Sequence, residues 1–132
     1  MTEKWPVAES GMSKREEIQH RLEELRDAVP ELKGVLLAST EGLPVAHSFA
    51  NPADAQRVAA MAAAASSLGR RVSESLAVGT LAEVCVSGAD GHMFVYLAGA
   101  RAVLAVLGPS DSNAGLIHLE ARNAAQAIGQ LL

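Results

Sequence analysis

One segment with almost no side-chain bulk constrains the whole fold. Residues 51–76 read as a single long helix whose middle, Ala59-Ala60-Met61-Ala62-Ala63-Ala64-Ala65-Ser66-Ser67, is nearly all methyl groups and hydroxyls. Such a helix lets another backbone approach closely. Val58, Met61, Ala62, Ala65, Leu68, Val72 and Leu76 recur at helical spacing and predict the stripe that covers a core. Ala60, Ala63, Ala64, Ser67 and Arg71 form a second stripe, whose apolar part predicts contact with another helix. Alanine is the best helix former whatever touches it, but a solvated helix mixes in more Glu and Lys than this one does.

The chain has 132 residues, the size of one ordinary domain with a real core. We expect a flexible tail over 1–12 and a single domain over 13–132. Trp5 lies in that tail, which carries no periodicity and reads as an unstructured leader. The net charge is −4, and Arg57, Arg70, Arg71 and Arg101 are scattered, so no nucleic-acid footprint is expected. Cys85 is the only cysteine, which excludes an internal disulfide and fits a reducing compartment. No apolar run approaches the length of a membrane span, and the amino terminus lacks the apolar core of a signal peptide. These features predict a soluble cytoplasmic protein with no membrane insertion.

The first helix is marked by Ser13 and Glu16 as a capping-box pair, with Ile18, Leu22, Leu25 and Val29 on one face and Pro30 at its end. Its other face is charged in both signs and solvated. Val35-Leu36-Leu37-Ala38, a turn at 40–43, and Pro44-Val45-Ala46-His47-Ser48-Phe49 read as a hairpin. The first strand is apolar on both faces and belongs at the centre of a sheet; the second, with its proline, belongs at an edge. Asn51 as N-cap, Pro52 in the first turn and Asp54 near the positive end of the dipole open the long helix, and Val78-Gly79 closes it.

Three more strands, 81–87, 92–98 and 102–107, are joined by hairpin turns at Gly88-Ala89-Asp90-Gly91 and Gly99-Ala100-Arg101. The last of them is wholly apolar and therefore central; the strand at 81–87 is an edge. After Gly108-Pro109 a final helix begins near Asp111 or Ser112, with Ile117, Ala121, Ala124, Ile128 and Leu131 at helical spacing. The compositions favour one antiparallel five-stranded sheet in the order 2-1-5-4-3. A helix of roughly 24 residues spans about 36 Å, enough to cross four strand spacings that total roughly 19 Å. Two central strands without a polar face need cover on both sides, so the long helix should lie on one face and the terminal helices on the other. The predicted fold class is a three-layer α/β (α+β) sandwich.

From about residue 32 to 132 the chain resembles a Roadblock/LC7 domain, the family of dynein light chains and of bacterial regulators of Ras-like GTPases. The resemblance rests on the hairpin Gly34-Val35-Leu36-Leu37-Ala38-Ser39-Thr40-Glu41-Gly42-Leu43-Pro44-Val45-Ala46 and on the alanine-rich helix. It rests also on Leu81-Ala82-Glu83-Val84-Cys85-Val86 and on Ala102-Val103-Leu104-Ala105-Val106-Leu107 leading to Gly115-Leu116-Ile117. The extra amino-terminal helix resembles the bacterial members. The resemblance implies a homodimer, or a heterodimer with a close relative, in which long helices pack together and third strands pair edge to edge, which would also cover an otherwise open sheet edge. We place that contact on Ala60, Ala63, Ala64, Ser67 and Arg71 of the helix and on Glu83, Val84, Cys85, Val86 and Ser87 of the strand.

No catalytic, cofactor or metal site is expected. His20, His47, His92 and His118 lie far apart with no metal-ligand spacing. Cys85 has no adjacent His and reads as a buried thiol packed as a small hydrophobe. Glu16-Glu17 and Glu23-Glu24 are neighbours in sequence and so diverge on a helix surface. The turn Gly88-Ala89-Asp90-Gly91 joins two strands and lacks the helix and the Lys-Ser/Thr of a phosphate loop. The function implied by the resemblance is a non-enzymatic homodimeric regulator or scaffold that binds a small Ras-like GTPase and biases its nucleotide cycle. Ordering the partner's switch loops is one route; an arginine finger from Arg57, Arg70, Arg71 or Arg101 is a weaker one, since arginines on helices and turns are usually solvated or paired. Two alternatives stand beside it: a profilin- or PAS-like small-molecule sensor, and a purely structural adaptor in a larger complex.

Overall fold

The structure is a computed structural model that describes residues 12–49 and 51–132; Trp5 and the rest of the expected tail up to residue 11 lie outside the described residues. The elements in chain order are α1 (Lys14–Ala28), β1 (Gly34–Ser39), β2 (Pro44–Phe49), a 3-10 turn (Pro52–Asp54), α2 (Ala55–Ser75), β3 (Glu83–Ser87), β4 (Gly91–Ala98), β5 (Ala102–Pro109) and α3 (Ala114–Leu131). All five strands join one antiparallel sheet in the order β2-β1-β5-β4-β3.

The cap expected at α1 forms, whereas α3 is capped by a residue the sequence reading did not single out. The Ser13 hydroxyl accepts from the Glu16 amide at 3.1 Å while the Glu16 carboxylate accepts from the Ser13 amide at 2.9 Å, closing the capping box of α1. At α3 the cap is Asn113, whose side chain accepts from the Leu116 amide at 3.1 Å, so the helix starts slightly later than Asp111 or Ser112. The long helix differs more. Asn51 caps the 3-10 turn, accepting from Ala53 at 3.1 Å, and the α-helix proper begins only at Ala55. The first turn tightens, as helix starts often do, and the Asp54 carboxylate is taken by Arg57 at 2.6 Å instead of capping the backbone.

The sheet separates two cores. Val35 and Leu37 of β1, Leu104 and Val106 of β5, and Phe94 and Tyr96 of β4 meet Ile18, Leu22 and Leu25 of α1 and Ile117, Ala121 and Ile128 of α3. The alternate residues Leu36, Ala38, Val95, Val103 and Ala105 meet Ala55, Val58, Ala59 and Ala62 of α2. The period-two alternation thus gives β1 and β5 cover on both faces, as their unbroken apolar runs require. α2 touches all five strands. Its carboxyl end turns in a Schellman motif: the Val78 amide donates to Ser73 O at 3.1 Å and the Ala77 amide to Glu74 O, with Ala77 left-handed at φ +55°.

Candidate interaction surface

The faces of α2 are rotated relative to the sequence reading. Ala55, Val58, Ala59, Ala62, Ala63, Ser66 and Ser73 are buried, whereas Met61, Leu68, Val72 and Leu76, expected to cover the core, are 45–67% exposed. The reason is volume. The sheet surface beneath α2 is built of Leu36, Val95, Val103, Val84 and Leu97, so the helix presents its smallest side chains to it and sits close. A Cβ added at Gly69 would lie 2.7 Å from Val84 Cγ2, which shows how near α2 comes to β3.

Met61, Leu68, Val72 and Leu76 follow at intervals of seven, four and four, one outward line on a helix with 3.6 residues per turn. Ala64 borders this line, between it and a flank formed by Ala60, Ser67 and Arg71, all exposed. Ala63 does not belong with them. It is 7% exposed, facing the β1–β2 turn where a Cβ at Gly42 would sit 3.8 Å from its methyl group, so it is withdrawn from the outward stripe.

The second component is β3, the end strand of the sheet. The Gly88 amide donates to Gly91 O at 2.8 Å across the β3–β4 turn. By the alternation of an antiparallel ladder, Val84 and Val86 then point their backbone groups toward β4, and Glu83, Cys85 and Ser87 point theirs outward. Side chains alternate as well: Val84 and Val86 face the α2 side, opposite Val95 and Met93, while Glu83, Cys85 and Ser87 face the α3 side. Val86 is 53% exposed and adds to the apolar surface on the α2 side. Cys85 is exposed, not the buried thiol the sequence suggested. α3 packs over β4 and β5 and reaches β3 through Arg122, whose guanidinium donates to the Glu83 carboxylate at 2.7 Å.

On the α3 side of β4 lies a polar pair that sequence reading did not join. The buried Tyr96 hydroxyl meets His118 Nδ1 at 2.7 Å, and the rings pack edge to face. Burial, reinforced by the Glu83 carboxylate and opposed by Arg122, holds the Tyr96 phenol well above its ordinary range. His92 is held by Ser87 Oγ at 2.9 Å and by Ser110 O at 3.1 Å. His20 lies beside Glu24 on the exposed face of α1, and His47 on β2 has a buried Nδ1 with no partner among the described residues. Among the described residues no three His, Cys, Asp or Glu side chains gather as metal ligands, and no helix is long and apolar enough to cross a membrane. Of the arginines considered as fingers, Arg57 is paired with Asp54, Arg71 flanks the α2 stripe, Arg101 is exposed in the β4–β5 turn, and Arg70 lines a cavity.

Comparisons with known proteins agree with this architecture. The family model described as the Roadblock/LC7 domain matches residues 18–108. An uncharacterized protein of Methanocaldococcus jannaschii is 32% identical over 97 residues, covering 74% of this chain and 84% of its own length. The crystal structure of a Roadblock/LC7 domain from Streptomyces avermitilis superposes with a TM-score of 0.79 at 26% identity, over 83% of this chain and 92% of that one. The gliding protein MglB of Thermus thermophilus shares the fold over 99% of this chain and 97% of its own, with a TM-score of 0.81 at 18% identity.

Proposed function

The chain belongs to the Roadblock/LC7 family, and from that premise we propose that it is a non-enzymatic homodimeric regulator or scaffold that binds a small Ras-like GTPase and biases its nucleotide cycle. The observation that carries the reading is the exposed line Met61, Leu68, Val72 and Leu76 on α2 beside the unpaired edge of β3. Each is unfavourable alone: the stripe exposes contiguous apolar surface, and the edge offers free backbone groups to any passing strand. A two-fold copy covers both at once, because an isologous contact repeats the same patch on each subunit. The paired helices and the continuous sheet then form a platform for the GTPase, which this protein orders without contributing chemistry of its own.

The first test is the mass in solution of the wild type and of Ala64→Glu. Ala64 borders the outward line and is exposed in the protomer, so the carboxylate is tolerated there and costs about 3 kcal/mol or more only when a partner buries it unpaired. A dimeric wild type and a folded, monomeric variant are expected; a wild type that is monomeric at micromolar concentration refutes the pairing. For the second half, a small GTPase captured from native cytoplasm should change its GTP turnover or nucleotide release when the dimer is added. Unaltered rates with every captured GTPase would leave only an adaptor.

A further inference from the structure

The underside of the carboxyl-terminal turns of α2 carries a second feature. A cavity of about 700 Å³ opens there, lined by Arg70, Ser73 and Glu74 of α2, Thr80 and Leu81 of the following loop, and Leu97 of β4. Its size falls within the range of small-molecule pockets. The loop that walls it is held by the Schellman hydrogen bonds at Ala77 and Val78, so the cavity is formed in advance of any ligand.

Ser73 is only 8% exposed, yet its hydroxyl has no hydrogen-bond partner among the described residues. A helical serine usually satisfies itself on a carbonyl of the preceding turn, as Ser66 does on Ala63 O at 3.4 Å. Ser73 lines the cavity instead, with its hydroxyl open to that space rather than sealed in the core. Arg70, half-buried, has no ion-pair partner among the described residues, although Glu74 lies one turn further along the same face. Both charges border the cavity without closing on each other.

We propose that this cavity binds an aliphatic α-carboxylate that carries an N–H donor on its α-carbon, as a free α-amino acid or the carboxyl-terminal residue of a peptide does. Arg70 and the Ser73 hydroxyl receive the carboxylate in a charge-assisted pairing. Glu74 receives the ammonium, or in a peptide the amide N–H, and disfavours a phosphate dianion. Leu81 and Leu97 supply an apolar floor for the side chain. Arg70 stands half a turn around α2 from Met61, so occupancy does not depend on the dimer surface.

Amide-resolved NMR titration of the full chain tests this, with leucine, leucinamide, 4-methylpentanoate, inorganic phosphate and a tripeptide ending in leucine as probes. Saturable shifts at Ser73, Thr80 and Leu97 are expected with leucine or the tripeptide. Whichever of the two binds more tightly identifies the source of the carboxylate. Leucinamide should bind at least about tenfold more weakly, and Arg70→Gln should weaken the carboxylate probes about ten- to a hundredfold, the span of one charge-assisted hydrogen bond. Ser73→Ala serves as a second variant with the same direction, and Glu74→Gln should weaken leucine while leaving 4-methylpentanoate unaffected. No saturable shift up to ~10 mM of any carboxylate, binding unaltered by both Arg70→Gln and Ser73→Ala, or equal binding of phosphate overturns the proposal.

Discussion

Leu68→Ser separates the two faces of α2 more cleanly than any other single change. Leu68 keeps 62% of its surface exposed in the protomer. Burying a whole leucine side chain stabilises by about 1.5–3 kcal/mol, so covering the exposed portion contributes about 1–2 kcal/mol per copy and about 2–4 kcal/mol per two-fold pair. In the proposed dimer serine forfeits that, which should raise the Kd roughly 30-fold to several hundredfold. The protomer loses little, because an exposed substitution usually stays within about 0.5 kcal/mol, whereas a leucine removed from a core costs about 2–5 kcal/mol. Sedimentation equilibrium gives the Kd, and urea unfolding at concentrations where the chain is monomeric gives the protomer stability. A loss of more than about 2 kcal/mol in the monomer, or an unchanged Kd, refutes the assignment of this face.

Other consequences can be checked separately. If the outward residues of β3 pair about a two-fold centred on Cys85, the middle one of the three, this residue stands opposite its own copy at a Cα separation of about 5.5 Å; as it is the only cysteine, a short bis-maleimide should give a two-chain species in denaturing gels that Ala64→Glu abolishes. Tyr96 is the only tyrosine, so phenolate absorbance reads one group. Its raised pKa means that the folded chain retains a proton the unfolded chain loses above about pH 10, so stability is intact below that pH and falls by up to about 1.4 kcal/mol per unit above it, a slope Tyr96→Phe removes. Ala77→Gly relieves a left-handed alanine at φ +55° and should raise stability by a few tenths to about 1 kcal/mol in urea unfolding. Gly129→Ala places a Cβ 2.7 Å from the Gly99 amide nitrogen, backbone that cannot turn aside, and should cost about 1–3 kcal/mol in thermal unfolding.

Strand order was legible because polarity along each strand records how many of its faces are covered. Val35-Leu36-Leu37-Ala38 and the run at 102–107 have no residue fit for water and could only be central, while Pro44 and the polar positions of β2 belong at an edge. The capping box of α1 and the hairpin turns were legible because their chemistry is local. The orientation of α2 was not. Spacing alone places Met61, Leu68 and Val72 on one face and the alanines on others, but which face meets the sheet depends on the volume of strands distant in sequence. Hydropathy favoured the bulky line; packing against Leu36, Val95 and Val103 favoured the methyl groups. Cys85 was misplaced for a related reason. Its strand reads as half-buried, yet the α3 layer ends over β4, and nothing in the local sequence marks where a layer stops. Tyr96 and His118 are 22 residues apart and meet only through the α3–β4 packing.

The rotation of α2 also changes how two copies would meet. An alanine-lined contact would let the helix axes approach nearer than the usual 8–10 Å, and its strength would rest on backbone proximity. With the methyl face committed to the sheet, in the proposed dimer Met61, Leu68, Val72 and Leu76, all exposed in the protomer, would interdigitate instead, at an ordinary interaxial distance and with substantial apolar area per residue. The two parts of the surface are then coupled. The close seating of α2 on Val84, seen at Gly69, fixes the height of the outward line above β3, and a copy related by two-fold symmetry must match helix to helix and strand to strand with the same rotation. Enlarging Gly69 to alanine lifts the helix from β3, so it should weaken pairing even though Gly69 lies off the outward line.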